Sequence, residues 1–346
     1  MRVLSAKVAK VVFVGAVAVS AVVGLVLLYV FYGPNTFDGE KKIFVVSKGQ
    51  TWQQIVDSLE YQGIIRSRTM FEFVVAALRR GKQAHVGRYE FASGISNVDI
   101  YENLRLGKSM VPIVVTLREG RRASAYARTL ARSLGVDSAR IMQLVNDEQF
   151  ARSLGVDAKT LEGYLFPDTY FFGWQTDEEE ILRRLVQQTF KIFNDSLRAR
   201  AAELAMTIHD VLTLASIIEG EAFFDDERAM ISGVYHNRLR KGMRLEADPT
   251  IQYIIPDGPR RLLHRDLLIE NPYNTYRNHG LPPGPICSPS AASLRAALYP
   301  EQHTYYFFVA DGKGGHLFAT TYRQHLANVR KFRRERAEQL RSQRVS

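Results

Sequence analysis

The chain has 346 residues, 46% of them hydrophobic and 24% charged, a composition that supports a buried core and argues against disorder. Its net charge of +10 sits mainly at the ends: Arg330 to Ser346 carries seven basic and two acidic residues, and Arg2, Lys7 and Lys10 precede the first apolar run. The body between is nearly neutral without a basic stripe, which argues against nucleic-acid binding, and the single cysteine, Cys287, excludes an internal disulfide.

Val11 to Tyr32 is an uncharged run of 22 residues. About 20 suffice to cross a bilayer as a helix. Cleaved signals have shorter apolar cores and a small-residue cleavage site, which "YVFYGPNTF" lacks. Tyr29 and Tyr32 suit an interface, and the preceding cations place the N-terminus in the cytoplasm. The expectation is a retained single-pass anchor in the inner (plasma) membrane, with residues 1–10 cytoplasmic, 11–32 spanning, and the rest exported.

Residues 33–42 are polar with Gly and Pro and read as a linker. The next module is expected over 43–109. Ile43 to Val46 is a strand pattern, Thr51 an N-cap, and Ile55, Val56 and Leu59 a helical stripe ending near Gly63. A second strand, Arg88 to Phe91, precedes a helix with Ile100, Leu104 and Leu106. "VVSKGQTWQQIVDSL" resembles a LysM-type peptidoglycan-binding module; the plain alternative is a small α+β spacer.

A larger α+β domain is expected over 110–329, with an N-terminal helical part (110–205) and a core (206–329). "VPIVVTLREG" reads as a strand and turn, and "TDEEEILRRLVQQTFKIFNDSLRARAAEL" as one long helix opened by acids, as the helix dipole favours. Helices are expected over Ile208 to Phe223 and Asp226 to Lys241, the second closed by Gly242. "AASLRAALYP" reads as a short helix, and two strands joined by "DGKGG" lead into a C-terminal helix. The basic tail, 330–346, reads as a solvated helix end; contact with anionic lipid or wall polymer is the open alternative.

"TLASIIEGEAFFDDE" places Glu219 and Glu221 in an apolar run. On a helix at about 100° per residue, Val211, Leu214, Ala215, Ile218 and Ala222 form one buried stripe. The two glutamates flank it about 160° apart, too far to share one pocket. Geometry alone does not choose between them. A glutamate at such a boundary has its pKa raised by desolvation, as a general acid near neutral pH requires. Downstream loops rich in Asn, Tyr, Gly and Pro suit a sugar polymer. No G-x-S-x-G elbow or HExxH occurs, so His236, His279 and His316 read as local hydrogen bonders and Cys287 as a packed side chain.

"LEGYLFPDTY", "LASIIEGEA", "GVYHNRLRKGMRLEADPTIQY", "NTYRNHGLPPGPI" and "YYFFVADGKGGHLFATTYRQH" together resemble the MltG (YceG-like) endolytic murein transglycosylases, in the family's order. The resemblance implies cleavage of the MurNAc–GlcNAc β-1,4 bond within glycan strands without water, leaving 1,6-anhydro ends. It implies one catalytic carboxyl, which falls on Glu219, with Glu221 in support. Asn237, Arg238, Asp248, Thr250, Gln252 and Tyr253 fall on a cleft motif, and Asn274, Thr275 and Tyr276 on a sugar-holding loop. No cofactor or metal is implied; peptidoglycan, membrane lipid and peptidoglycan synthases are the implied partners, with no nucleic acid. Gly220 stands where the family usually has a larger residue, "LREG" replaces a more usual "PEG", and "CSPS" replaces an "NPG"-like stretch. The competing functions are a non-catalytic wall-binding scaffold and a hydrolytic muramidase.

Overall fold

The computed structural model describes residues 6–256 and 258–345. Their contacts divide the chain into two compact units, one running to Val114 with Phe171–Thr176, the other comprising Val115–Tyr170 and the chain from Asp177. The architecture is mixed helix and sheet, with only two-stranded sheets among the described residues.

The first unit opens with α1 (Ala6–Tyr32), a 27-residue helix. Its apolar window has a mean hydropathy of 2.9 and is unburied by the protein, as a candidate membrane anchor requires. At its last turn the Val30 carbonyl accepts from Asn97 Nδ2 at 2.8 Å, and Phe31 meets Phe73 edge-on. The expected linker is partly structured. It contains β1 (Pro34–Asn35), whose Asn35 is buried, and β2 (Lys41–Val46) begins inside it. Thr51 caps α2 (Trp52–Tyr61) in a reciprocal capping box with Gln54, as its sequence position predicts. Then comes α3 (Arg68–Leu78), a helix that the sequence pattern did not announce, capped by Ser67. β3 (Gly87–Ala92) pairs antiparallel with β2, placing Phe44 opposite Tyr89. β4 (Ile95–Ser96) pairs with β1 and leads into α4 (Asn97–Leu106). Phe44, Val56, Leu59, Phe71, Tyr89, Phe91, Tyr101 and Leu104 share one core.

β5 (Ile113–Thr116) carries the chain onward to α5 (Ala123–Leu134), α6 (Ser138–Val145) and α7 (Glu148–Ser153). β6 (Thr169–Phe172) follows, and pairs with β5. The single long helix expected next is two. α8 (Glu178–Ile192) stops before Asn194, whose side chain accepts from Leu197 N and starts α9 (Asp195–Glu203). Asparagine competes with helix propagation through this local bond, so the break has a visible cause.

α10 (Ile208–Glu221) ends two residues earlier than expected. Every residue from Val211 to Ile218 is buried, including Thr213 and Ser216. The one-stripe expectation is therefore incomplete. α11 (Arg228–Arg240), α12 (Asp248–Ile254) and α13 (Ala291–Leu298) pack around α10 together with α9. The two polar residues stay satisfied: Thr213 Oγ1 donates to the His209 carbonyl and Ser216 Oγ to the Thr213 carbonyl. β7 (Phe307–Ala310) and β8 (His316–Ala319) form the expected hairpin, followed by α14 (Tyr322–Val345).

Gly163 locks the loop after Leu161 onto the segment before α13. It sits at φ +79°, and a Cβ there would collide with the ring of Pro285. Gly163→Ala should destabilise the protein by about 2 kcal/mol, from left-handed strain and overpacking. A thermal melt indistinguishable from the parent's would show that this junction yields.

Candidate active site

The burial that carries α10 through the second unit ends at its last turn, where Glu219 and Glu221 emerge. Glu219 is 9% exposed at its side chain. Its Oε2 accepts four bonds: from Ser290 N (3.0 Å), Ser290 Oγ (2.6 Å), Ser293 Oγ (2.7 Å) and Arg228 Nη1 (3.2 Å). Ser290 is also the N-cap of α13, so the carboxylate sits at the positive end of that helix. Arg228 Nη1 donates to Ser293 Oγ as well, at 2.6 Å, and its Nε bonds Asp225 at 2.9 Å. The other oxygen, Oε1, faces Gly120: a Cβ there would lie 3.9 Å from it. Gly120 is held in place by its N–H donating to the Ser288 carbonyl at 2.9 Å.

Glu221 points elsewhere, as the helix wheel requires. Its Oε1 accepts from Tyr235 Oη at 2.9 Å. Burial pushes its carboxyl up to about 8; the Tyr235 bond opposes this, the Asp248 charge adds to it, and Arg238 opposes it. Glu219 and Glu221 share no hydrogen-bond donor among the described residues, so they do not form a carboxylate pair of the retaining-hydrolase kind.

A cavity of about 730 Å³ opens beside this turn. Its lining includes Gly120, Arg121, Arg122, Ser124 and Arg128 from the start of α5, and Gly220, Glu221, Asp248, Pro249, Gln252 and Tyr253 from the ends of α10 and α12. Glu219 stands behind the Gly120 rim rather than in the wall. Glu221 also reaches a second cavity of about 380 Å³, with Gly312, Gly314, Gly315, His316, Phe332 and Arg336. At its edge His316 Nδ1 lies 2.8 Å from Glu227 Oε2.

The residues expected to line the cleft divide into two groups. Asp248, Gln252 and Tyr253 do line the cavity. Asp248 accepts from Tyr276 Oη at 2.5 Å, and Arg122 covers the Tyr253 ring at 4.8 Å. Tyr276 is half-buried, and the others are buried scaffold. Asn237 donates to the carbonyls of His303 and Tyr305, and Arg238 to those of Tyr306, Arg244 and Leu245. Asn274 holds the carbonyls of Leu267 and Ile269, and Thr275 Oγ1 accepts from Ala247 N while pairing with Thr250 Oγ1. These bonds shape the loops that form the wall.

Ser290, Ser293, Arg228 and Gly120 were not among the expected residues. The serine before α13 is a legible N-cap signal, but its second partner lies 71 residues away. Glu162 was missed as well. It is buried, accepts from Ala123 N at 2.9 Å, and so caps α5 where Arg122 makes no side-chain cap bond. Burial pushes Glu162 up to about 7. Of the histidines, His236 and His279 contact backbone carbonyls, of Ala297 and Gly242, as expected for local bonders. Cys287 is buried, in keeping with a packed role. Among the described residues no group of three or more His, Cys, Asp or Glu is arranged to hold a metal ion.

A family model for the YceG-like family matches residues 44–331. The chain belongs to the YceG-like family. It is 30% identical over 295 residues to a protein of Bacillus subtilis (strain 168) named endolytic murein transglycosylase, covering 81% of each chain. A protein of the same name from Streptococcus pneumoniae (strain R6) is 26% identical, over 87% of this chain and 60% of its own. The crystal structure of a yceG-like protein from Listeria monocytogenes matches with a TM-score of 0.61 at 30% identity, covering 83% of this chain and 98% of that one. The resemblance drawn from the five motifs holds.

Gly220 tests the close packing at this turn. A Cβ there would lie 2.7 Å from Pro249 Cβ, so α12 abuts the last turn of α10. Alanine would gain about 1 kcal/mol of helix propensity but must displace a rigid ring at an overpacking cost of about 1–3 kcal/mol. Gly220→Ala should therefore lower the melting temperature; a rise would mean that α12 moves freely.

Glu221 makes stability depend on pH. The unfolded carboxyl loses its proton near 4.5, the folded one near 8. Between those values the folded state binds more protons, so stability falls as pH rises through the window. Glu162 acts in the same direction over a narrower range. Glu221→Gln should flatten the decline in melting temperature between about pH 5 and pH 8. A slope equal to the parent's would contradict the burial of this carboxyl.

Proposed function

We propose that this YceG-like chain is a membrane-anchored endolytic murein transglycosylase with Glu219 as its catalytic acid and base. The murein transglycosylase names of its relatives support the reaction class and a peptidoglycan substrate. The observation carrying the choice of acid is the asymmetry of Glu219: four donors fix Oε2, while Oε1 is turned to the Gly120 rim.

In this mechanism the protonated Glu219 gives its proton to the glycosidic oxygen leaving with GlcNAc. The carboxylate then takes the proton of the MurNAc C6 hydroxyl as that oxygen closes on C1. The C1–O bond to GlcNAc breaks, the C1–O6 bond forms, and a 1,6-anhydro end remains. No water is consumed, and the proton returns to Glu219. The donors on Oε2 orient the group and offset the charge that it acquires midway. α1 would hold the enzyme at the inner membrane with the catalytic part outside the cytoplasm, and its strand-cutting would end the growth of nascent chains beside peptidoglycan synthases. The first unit, LysM-like in its sequence, would hold the glycan.

A second reading gives the acid role to Glu221, because Glu221 lines the cavity and burial raises its carboxyl to about 8. Two variants separate the readings. Purified peptidoglycan digested with the parent protein should yield 1,6-anhydro-MurNAc ends by mass spectrometry. Glu219→Gln should reduce the rate by at least about a hundredfold, the scale of a lost acid/base. Loss in Glu221→Gln with activity kept in Glu219→Gln would transfer the role. Reducing MurNAc ends alone would make the enzyme a muramidase, and strand binding without any product a scaffold.

A further inference from the structure

The cavity is more basic than a neutral sugar chain requires. Arg121, Arg122 and Arg128 all line it. Arg128 lies one turn beyond Ser124 on the face of α5 that forms the wall, and Arg121 precedes the first turn of the same helix. Arg122 is engaged, donating to the Gln252 carbonyl at 2.6 Å and covering Tyr253. Arg121 and Arg128 are exposed, and neither makes a salt bridge among the described residues. Arg140, Arg152 and Arg184, also on helices of the second unit, each pair with a glutamate. The acids in the cavity wall are Glu221, bound to Tyr235, and Asp248, bound to Tyr276.

Three like charges around one cavity repel one another, and a concave site focuses their field. The hydroxyls and acetamides of a glycan backbone are neutral and offset none of it. Carboxylates do: a guanidinium presents a planar fork that matches them in two parallel bonds. Murein carries carboxylates in two places, on its stem peptides and, where those are removed, on the lactyl group of the muramic residue.

We propose that Arg121 and Arg128 form a specificity subsite for the carboxylates carried by the murein strand, on the part of the cavity lining that follows Gly120. This deepens the transglycosylase reading and rests on it. Substrate enters with its acidic substituents against the first turns of α5, and the sugar chain runs past Gly120 and Gly220. The subsite acts on binding, so its effect falls on KM; the proton transfers belong to Glu219.

The full-length protein should be assayed on three strand preparations: native, native with carboxylates converted to amides by carbodiimide and ammonia, and amidase-stripped with only lactyl carboxylates left. Anhydro-end formation is followed for each. The parent should show a KM about tenfold or more higher on amidated than on native strands, the scale of a lost hydrogen bond to a charged group. Added salt should raise its KM on native strands and leave that on amidated strands nearly level. The double variant Arg121→Gln with Arg128→Gln should bind native strands as weakly as amidated ones. Stripped strands separate the sources: a KM near the native value means that the lactyl carboxylate serves as well as those of the stem peptide, one near the amidated value that only the stem-peptide carboxylates are bound. Equal KM of the parent on native and amidated strands overturns the proposal, as does a double variant that keeps the parent's preference. No anhydro ends from any strand would instead sink the transglycosylase reading.

Discussion

The second unit depends on how α10 ends. A helix buried on all sides from Val211 to Ile218 cannot deliver an ionisable group without repairing the loss of water. Donors from two other segments make that repair. Ser290 and Ser293 come from the start of α13, and Arg228 opens α11. Ser293 connects them, since its hydroxyl donates to Glu219 and accepts from Arg228. The carboxylate is thus the point at which three helices are tied together, and the helix packing is what aims it. A network of this kind is kept together by its shared donors, here four of them on the single oxygen Oε2.

The same ending separates two glutamates that are neighbours in sequence. Glu219 is surrounded by donors on one oxygen, whereas Glu221 has one phenol and an environment that raises its carboxyl to about 8. Their difference comes from geometry, because the helix turns them about 160° apart. Environment sets the roles of chemically identical groups. Gly220 between them meets the Pro249 ring, so the gap in side-chain volume is used to bring α12, and Asp248 with it, to the cavity.

Much of the local structure is legible in the sequence because its causes are local. The Thr51 cap, the "DGKGG" turn and the apolar run of α1 act within a few residues, and each appears as read. The break between α8 and α9 is also local, but the acidic and apolar pattern runs through it and conceals the cap at Asn194. The glutamate pair was separable by periodicity alone. The ligands of Glu219 were not, since Ser290 is 71 residues distant and its nearer role, capping α13, accounts for it fully. Burial of α10 on every side from Val211 to Ile218 was hidden for a related reason: Thr213 and Ser216 look like a polar face until their bonds to the helix's own carbonyls are seen.

The family motifs carry two different physical demands under one appearance. Asn237, Arg238, Asn274 and Thr275 are the residue types that bind sugars, yet here their donors and acceptors are taken by backbone. Long loops without regular structure leave many backbone groups unpaired, and burial of those groups requires side-chain partners. A cavity walled by such loops therefore needs as many amides and guanidinia behind the wall as in it. Asp248, Gln252 and Tyr253 stand in front, and even Gln252 spends its amide on the Arg260 backbone. What is left unpaired on the wall is charge, that of Arg121 and Arg128.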